Sequence, residues 1–165
     1  MGNHHMTKNS VMSIWLKLVD KPFGKTIFSK IICWKAPYFG SIKPRFVELR
    51  GGYAHVTMPK RRAVHNHIQT IHAIALCNLA EIGAGTMMEA SLAPTMRWLP
   101  KGMTVQYLKK AETNIDAYCV APEVENGGEG VARDVVVHVE IKDKQQNVVT
   151  IADITMWVSP KKARD

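Results

Sequence analysis

From Val11 the apolar positions recur at helical spacing. Val11, Ile14, Trp15, Leu18 and Val19 form one stripe, Pro22 interrupts it, and Ile27, Phe28, Ile31 and Ile32 resume it. Lys17, Lys21 and Lys25 lie four apart on the opposite face. Such helices fit a lid or brace packed on a domain; lying on an anionic membrane is the less favoured reading, since the stripe suits either. At Arg45 the period drops to two. Arg45 to Leu49 and Tyr53 to Met58 flank Gly51-Gly52, which reads as a hairpin whose turn needs positive φ. After Pro59-Lys60-Arg61-Arg62 the stretch His65 to Met88 is mostly apolar, too long for a strand. It reads as a buried helix, entered by a loop over Asn66 to Ile71 and fading near Gly83 and Gly85. Beyond Pro94 and Pro100, four segments alternate or run β-branched: Met103 to Ala111, Ile115 to Ala121, Arg133 to Lys142 and Val148 to Ser159. Glu123 to Gly130 and Asp143 to Asn147 are the loops between them. The order predicts an α+β domain, an antiparallel sheet wrapped around one long helix. Its expected boundaries are 1–44 for a basic helical segment, 45–160 for the domain and 161–165 for a polar tail.

Composition narrows this picture. A chain of 165 residues with 46% apolar residues suits one compact domain and excludes low-complexity disorder. No apolar run approaches the ~20 residues of a membrane span, and no small-residue cleavage site follows the first run. Cys33, Cys77 and Cys119 are odd in number and widely spaced, which reads as reduced thiols in a cytoplasmic protein. The net charge of +8 is uneven. Residues 1–65 carry twelve Lys/Arg against Asp20 and Glu48, whereas 66–165 carry ten against twelve Asp/Glu. The body is therefore slightly acidic, and a nucleic-acid partner is not expected.

Between Ile68 and Met88 the one formally charged side chain is Glu81. A carboxylate among Leu79, Ala80, Ile82 and Ala84 is expected to be desolvated, which raises its pKa unless partners compensate. If the helix begins near His72, the N–H groups of Ala73 and Ile74 sit at its positive end and could polarise a carbonyl. Asn66 offers a donor and an acceptor just before it, or simply organises the turn. Eight residues separate Ala73 from Glu81, about 12 Å along a helix. One helix cannot fold Glu81 onto its own start. A site using both needs a second copy of the chain, most simply a two-fold dimer.

The run NHIQTIHAIALCNLAE, Asn66 to Glu81, resembles the signature of the hotdog-fold acyl-CoA thioesterases of the phenylacetyl-CoA thioesterase type. That signature is an Asn, a His six residues on, small residues after it, and an Asp or Glu nine residues past the His. The strand order from Arg45 to Ser159 agrees with it. The resemblance implies a hotdog fold and thioester hydrolysis on acyl-CoA in a homodimer or homotetramer, with no cofactor beyond the coenzyme A of the substrate and no metal. It implies Glu81 as general base or nucleophile, supplied by the neighbouring subunit, and the N–H of Ala73 as oxyanion donor. Asn66 would orient water or thioester, and His72 would shape the loop. Ile74 departs from the family, which often has Gly there, and narrows the approach to the helix start.

Further readings stand beside this one. A hotdog dimer could bind acyl chains without cleaving them, or act on acyl carrier protein substrates. His65, His67, His72 and Glu81 have no standard zinc spacing, so metal binding is disfavoured. Arg61 and Arg62, beside Asn66, are candidates for the phosphates of coenzyme A, against the plainer reading of a solvated loop. Met87, Met88, Met96 and Met103 could line an acyl pocket or belong to the core.

Overall fold

The computed structural model describes residues 10–161; the polar opening 1–9 and tail residues 162–165 lie outside it. Two helices come first, α1 (Ser10–Leu18) and α2 (Gly24–Lys35), followed by a 3₁₀ turn over Pro37–Ile42. They brace the domain, because their inner stripe enters its core. Trp15, Phe28 and Phe46 stack edge to face, with ring centroids 5.0 and 5.3 Å apart, and all three are buried. Such pairs add about 0.5–1.5 kcal/mol each beyond the area they bury. Ser29 fastens the same contact, its Oγ accepting the Phe46 N–H at 2.9 Å. That bond supplies a partner for Phe46 where the first strand slips register between Phe46 and Glu48.

The strands are β1 (Arg45–Arg50), β2 (Tyr53–Met58), β3 (Met96–Tyr107), β4 (Ile115–Val120), β5 (Arg133–Lys142) and β6 (Val148–Pro160). They form one antiparallel sheet in the order β1-β2-β4-β5-β6-β3. The β1–β2 turn has its positive φ at Gly52, whose N–H bonds Ser91 Oγ at 2.9 Å and so ties the turn to the end of the long helix. β5 alternates cleanly, Val135, Val137, Val139 and Ile141 buried and Asp134, Val136 and His138 exposed. β3 begins seven residues earlier than the alternation indicates. Pro100 tolerates strand geometry there because β3 is at the sheet edge and its register slips between Pro100 and Gly102.

α3 (Ala73–Ser91) is the expected central helix, and with the sheet it makes the hotdog architecture. It does not fade at Gly83 and Gly85. A Cβ at Gly83 would lie 2.6 Å from Cys119 Sγ, and one at Gly85 would lie 2.9 Å from the Trp98 ring. Both glycines are points of close approach inside an intact helix, and from Ile82 to Met88 every residue is buried. Met87, Met88 and Met96 are core, while Met103 is half-buried. The helix ends where Leu92 bonds back to Met88 and Pro94 follows. Among the described residues no helix is long and apolar enough to cross a membrane.

Candidate active site

The loop before α3 is held by Asn66. Its Oδ1 accepts the N–H groups of Ile68 and Thr70, both at 3.1 Å, and its Nδ2 donates to Thr70 Oγ1 at 2.8 Å. Backbone bonds from Asn66 N to Thr70 O and from Gln69 N to Asn66 O close the turn, with Gln69 at φ 62°. The amide of Asn66 is thus committed to its own loop, the plainer of its two readings, apart from one Nδ2 hydrogen. His72 N then bonds Val64 O at 2.8 Å and fixes the start of the helix.

His72 is the N-cap of α3. Its Nδ1 accepts the Ile74 N–H at 3.0 Å, while its carbonyl takes the N–H groups of Ala75 and Leu76. Two free amides were expected at this end, and the structure reduces them to one. The Ile74 N–H is consumed by the histidine ring, and the Ala73 N–H has no acceptor among the described residues. An accepting Nδ1 also requires that the ring proton sit on Nε2.

The chain neighbours of Ala73, His72 and Ile74, line a cleft of about 200 Å³ between the 3₁₀ turn, the Ala63–His65 segment and α3. Ile74, 56% exposed, is one of its lining residues. Two residues in its wall carry more chemistry than their sequence context announces. Asn78 is 5% exposed, and its Oδ1 has no hydrogen-bond partner among the described residues; its Nδ2 reaches Ser41 Oγ only at 3.5 Å. His65 Nε2 is also buried and has no partner among the described residues. Buried polar atoms without partners are uncommon, and two in one small cleft mark a place for a ligand or water. Attention to formal charge alone passes over Asn78. The signal was an Asn inside the apolar run Leu76 to Ala80, one turn beyond Ile74.

Glu81 requires a correction. Expected buried, it is exposed in the single chain, so its apolar neighbours do not desolvate it there. Leu79, Ala80, Ile82 and Ala84 face the core, and Glu81 points off the other side of the helix into a second cavity of about 350 Å³. That cavity is walled by Ile82, Phe39 and Trp98 and by Val11 of α1, so the N-terminal brace helps to build it. Glu81 makes no ion pair or side-chain hydrogen bond with the described residues. The helix start and Glu81 therefore occupy different cavities of one chain, as the 12 Å argument requires.

Between them on the same face lies Cys77, one turn from each. Its Sγ is 3.1 Å from the Tyr107 hydroxyl, and this bond, with burial second, pushes the Tyr107 phenol up to about 12. Arg61 is turned inward, its Nη2 donating to the Ser41 carbonyl and its Nε buried without a partner. Arg62 remains an exposed cation. His67 is exposed in the Asn66 loop, and no three metal-ligating side chains gather among the described residues.

Residues 24–158 match the model of the family described as a domain of unknown function, DUF4442. The chain belongs to that family. Among solved structures it is similar to the structural-genomics protein APC5556, with 45% identity over 92% of this chain and 97% of that one, at a TM-score of 0.77. It also resembles PA5026 of Pseudomonas aeruginosa, described as a protein of unknown function and probable thioesterase. That likeness has 21% identity over 82% of this chain and 96% of the other, at a TM-score of 0.73. The thioesterase HI1161 of Haemophilus influenzae aligns at 12% identity over 85% and 93% of the two chains, at a TM-score of 0.69. These last two likenesses establish the fold, which is that of thioesterase hotdog proteins. No curated protein matches the sequence.

Proposed function

We propose that this DUF4442 protein hydrolyses acyl-CoA thioesters in a site shared between two copies of the chain. The observation that carries the reading is the start of α3, where the Ala73 amide, without an acceptor among the described residues, stands between two residues that line a cleft, and two other residues of that cleft each bury a polar atom with no partner among the described residues. A thioester supplies what those groups lack. Its carbonyl oxygen accepts from the Ala73 N–H, and a pantetheine amide N–H donates to Asn78 Oδ1. As water adds to the carbonyl carbon, the oxygen gains negative charge at the positive end of the helix, where the fixed N–H and the dipole stabilise it. Glu81 of the second copy takes the proton of the attacking water. Collapse of the tetrahedral species breaks the carbon–sulfur bond, releasing a carboxylic acid and the coenzyme A thiol. Asn66 and His72 position the donor: the first holds the loop, and the second occupies the competing Ile74 amide. Arg62 meets the coenzyme A phosphates at the mouth.

The open edge of β3 supports the shared site. β3 ends the sheet with unpaired backbone groups along one side, the usual template for a further strand. Antiparallel pairing of two such edges sets two α3 helices side by side with opposite direction, so the start of one comes near the middle of the other.

Release of free thiol from a panel of acyl-CoAs by wild type and by Glu81→Ala tests the proposal. Cleavage that collapses in the variant is the expected result. Absence of cleavage on every substrate, or equal activity of the variant, would return Glu81 to a structural role and leave an acyl-binding protein. The position of the label after a single turnover in H₂¹⁸O separates base from nucleophile. A base delivers ¹⁸O to the acid product, whereas an attacking carboxylate keeps it on Glu81.

A further inference from the structure

The outer face of α2 is a second surface, distinct from the stripe that braces the core. Phe23 is 82% exposed and Trp34 81% exposed, with Ile27 also exposed between them. At 100° per residue the three fall within about 40° of one another around the helix axis, so they form one apolar line about three turns long. Phe23 sits at the tip of the α1–α2 hairpin with φ 60°, a left-handed conformation that a bulky side chain rarely adopts. The chain is thus held in a strained turn that projects a phenyl ring into solvent.

The surroundings are cationic. From residue 10 to residue 45 there are seven Lys/Arg and one acid, Asp20. None of the seven makes an ion pair or a side-chain hydrogen bond with the described residues. Immediately beside the apolar line, α2 and the start of β1 enclose a cleft of about 650 Å³. Lys30, Lys43 and Arg45 line it with the hydroxyls of Thr26 and Thr57, and no carboxylate does. Lys30 belongs to both the line and the cleft, and Lys43 is itself held at φ 50°.

We infer that this face docks on an anionic lipid surface, with Phe23, Ile27 and Trp34 entering the headgroup boundary and the adjoining cleft receiving lipid phosphates. An apolar line rimmed by lysines on a surface helix is the chemistry of interfacial binding. A second copy of the chain fits poorly, since apposing two such faces sets like charges together. The inference stands on this surface alone and is independent of the proposed hydrolase activity.

The test is co-sedimentation of the full chain with vesicles of phosphatidylcholine, with or without phosphatidylglycerol, together with the fluorescence difference between wild type and Trp34→Phe. Wild type is expected to bind the mixed vesicles only, with Trp34 emission shifting to shorter wavelength and binding falling as salt is raised. Lys30→Ala with Lys43→Ala should weaken binding about 25-fold, at about fivefold per charge. Ile27→Ser with Trp34→Ser should abolish the stable binding in co-sedimentation while leaving the circular dichroism spectrum unchanged. Wild type that ignores mixed vesicles, or both double variants binding as wild type does, overturns the inference. So does retention by an oligonucleotide without vesicle binding, or an oligomer in place of it that Ile27→Ser with Trp34→Ser dissociates.

Discussion

Replacing Ala73 by Pro removes the proposed oxyanion donor and almost nothing else. Ala73 is the first residue of α3, where the backbone N–H has no intrahelical partner and proline is well tolerated. The preceding residue must be extended to accept a proline ring, and His72, at φ −64° and ψ 138°, already is. The variant should therefore keep or slightly raise its thermal midpoint, by an increment of about 0.4–1 kcal/mol from a stiffer unfolded chain. Loss of one oxyanion donor costs about 2.7–4 kcal/mol of transition-state stabilisation, or about 10²–10³ in kcat. Initial rates of thiol release measure it, with Ala73→Ser, which keeps the N–H, as the control. Mixing Ala73→Pro chains with Glu81→Ala chains then asks where Glu81 comes from. Random exchange makes half the dimers mixed, and each mixed dimer has one intact site of two, so about a quarter of wild-type activity should return. A natively stable Ala73→Pro enzyme with wild-type kcat would refute the donor assignment, and mixing without recovery would refute the shared site.

Asn78→Leu should raise the thermal midpoint, because it removes a buried acceptor without a partner, yet lower kcat/KM about tenfold, the ~1.4 kcal/mol of one substrate hydrogen bond. Calorimetry and steady-state kinetics on the same preparation check both signs. Gly83→Val drives a branched side chain into Cys119 and should destabilise the fold by about 1–3 kcal/mol in a urea titration, whereas Gly102→Ala, with open space around it, should change stability by less than about 0.5 kcal/mol. Burial pushes the Cys119 thiol up to about 12 from its ordinary 9.0. The folded state thus keeps a proton that the unfolded state gives up sooner. Stability from this group is complete below pH 9 and declines from there toward pH 12, and melting curves across that range should flatten in Cys119→Ala.

The sheet was legible in the sequence wherever one face is wet and the other buried, as in β5, whose assigned ends coincide with the pattern. It was misread where that contrast fails. β3 faces solvent along most of its length, so Met96 to Gly102 carries no alternation and Pro100 reads as a break. Gly83 and Gly85 were read by propensity, which weakens a helix at glycine, whereas tertiary contact with Cys119 and Trp98 is what requires them. The spacing from His72 to Glu81 separates the two parts of the candidate site, because a helix fixes distances along itself. Side-chain commitments are not fixed that way. That Asn66 turns back into its loop and Arg61 onto Ser41 depends on local geometry, and the exposure of Glu81 depends on which face of α3 the sheet leaves open.

The strand order also has a consequence for how the chain is made. β3 is the first strand synthesised after α3, but among the described residues its one partner is β6, the last strand. On a ribosome, β1, β2 and α3 can meet early, while β3 waits until about fifty residues later for the strand that closes the sheet. Until then both of its edges are open, a state prone to pairing with the wrong chain. Any truncation before Val148 leaves it there permanently. The edge on which the proposed second copy would assemble is thus the last part of the sheet to be secured, so in that proposal synthesis of the chain would come before its pairing.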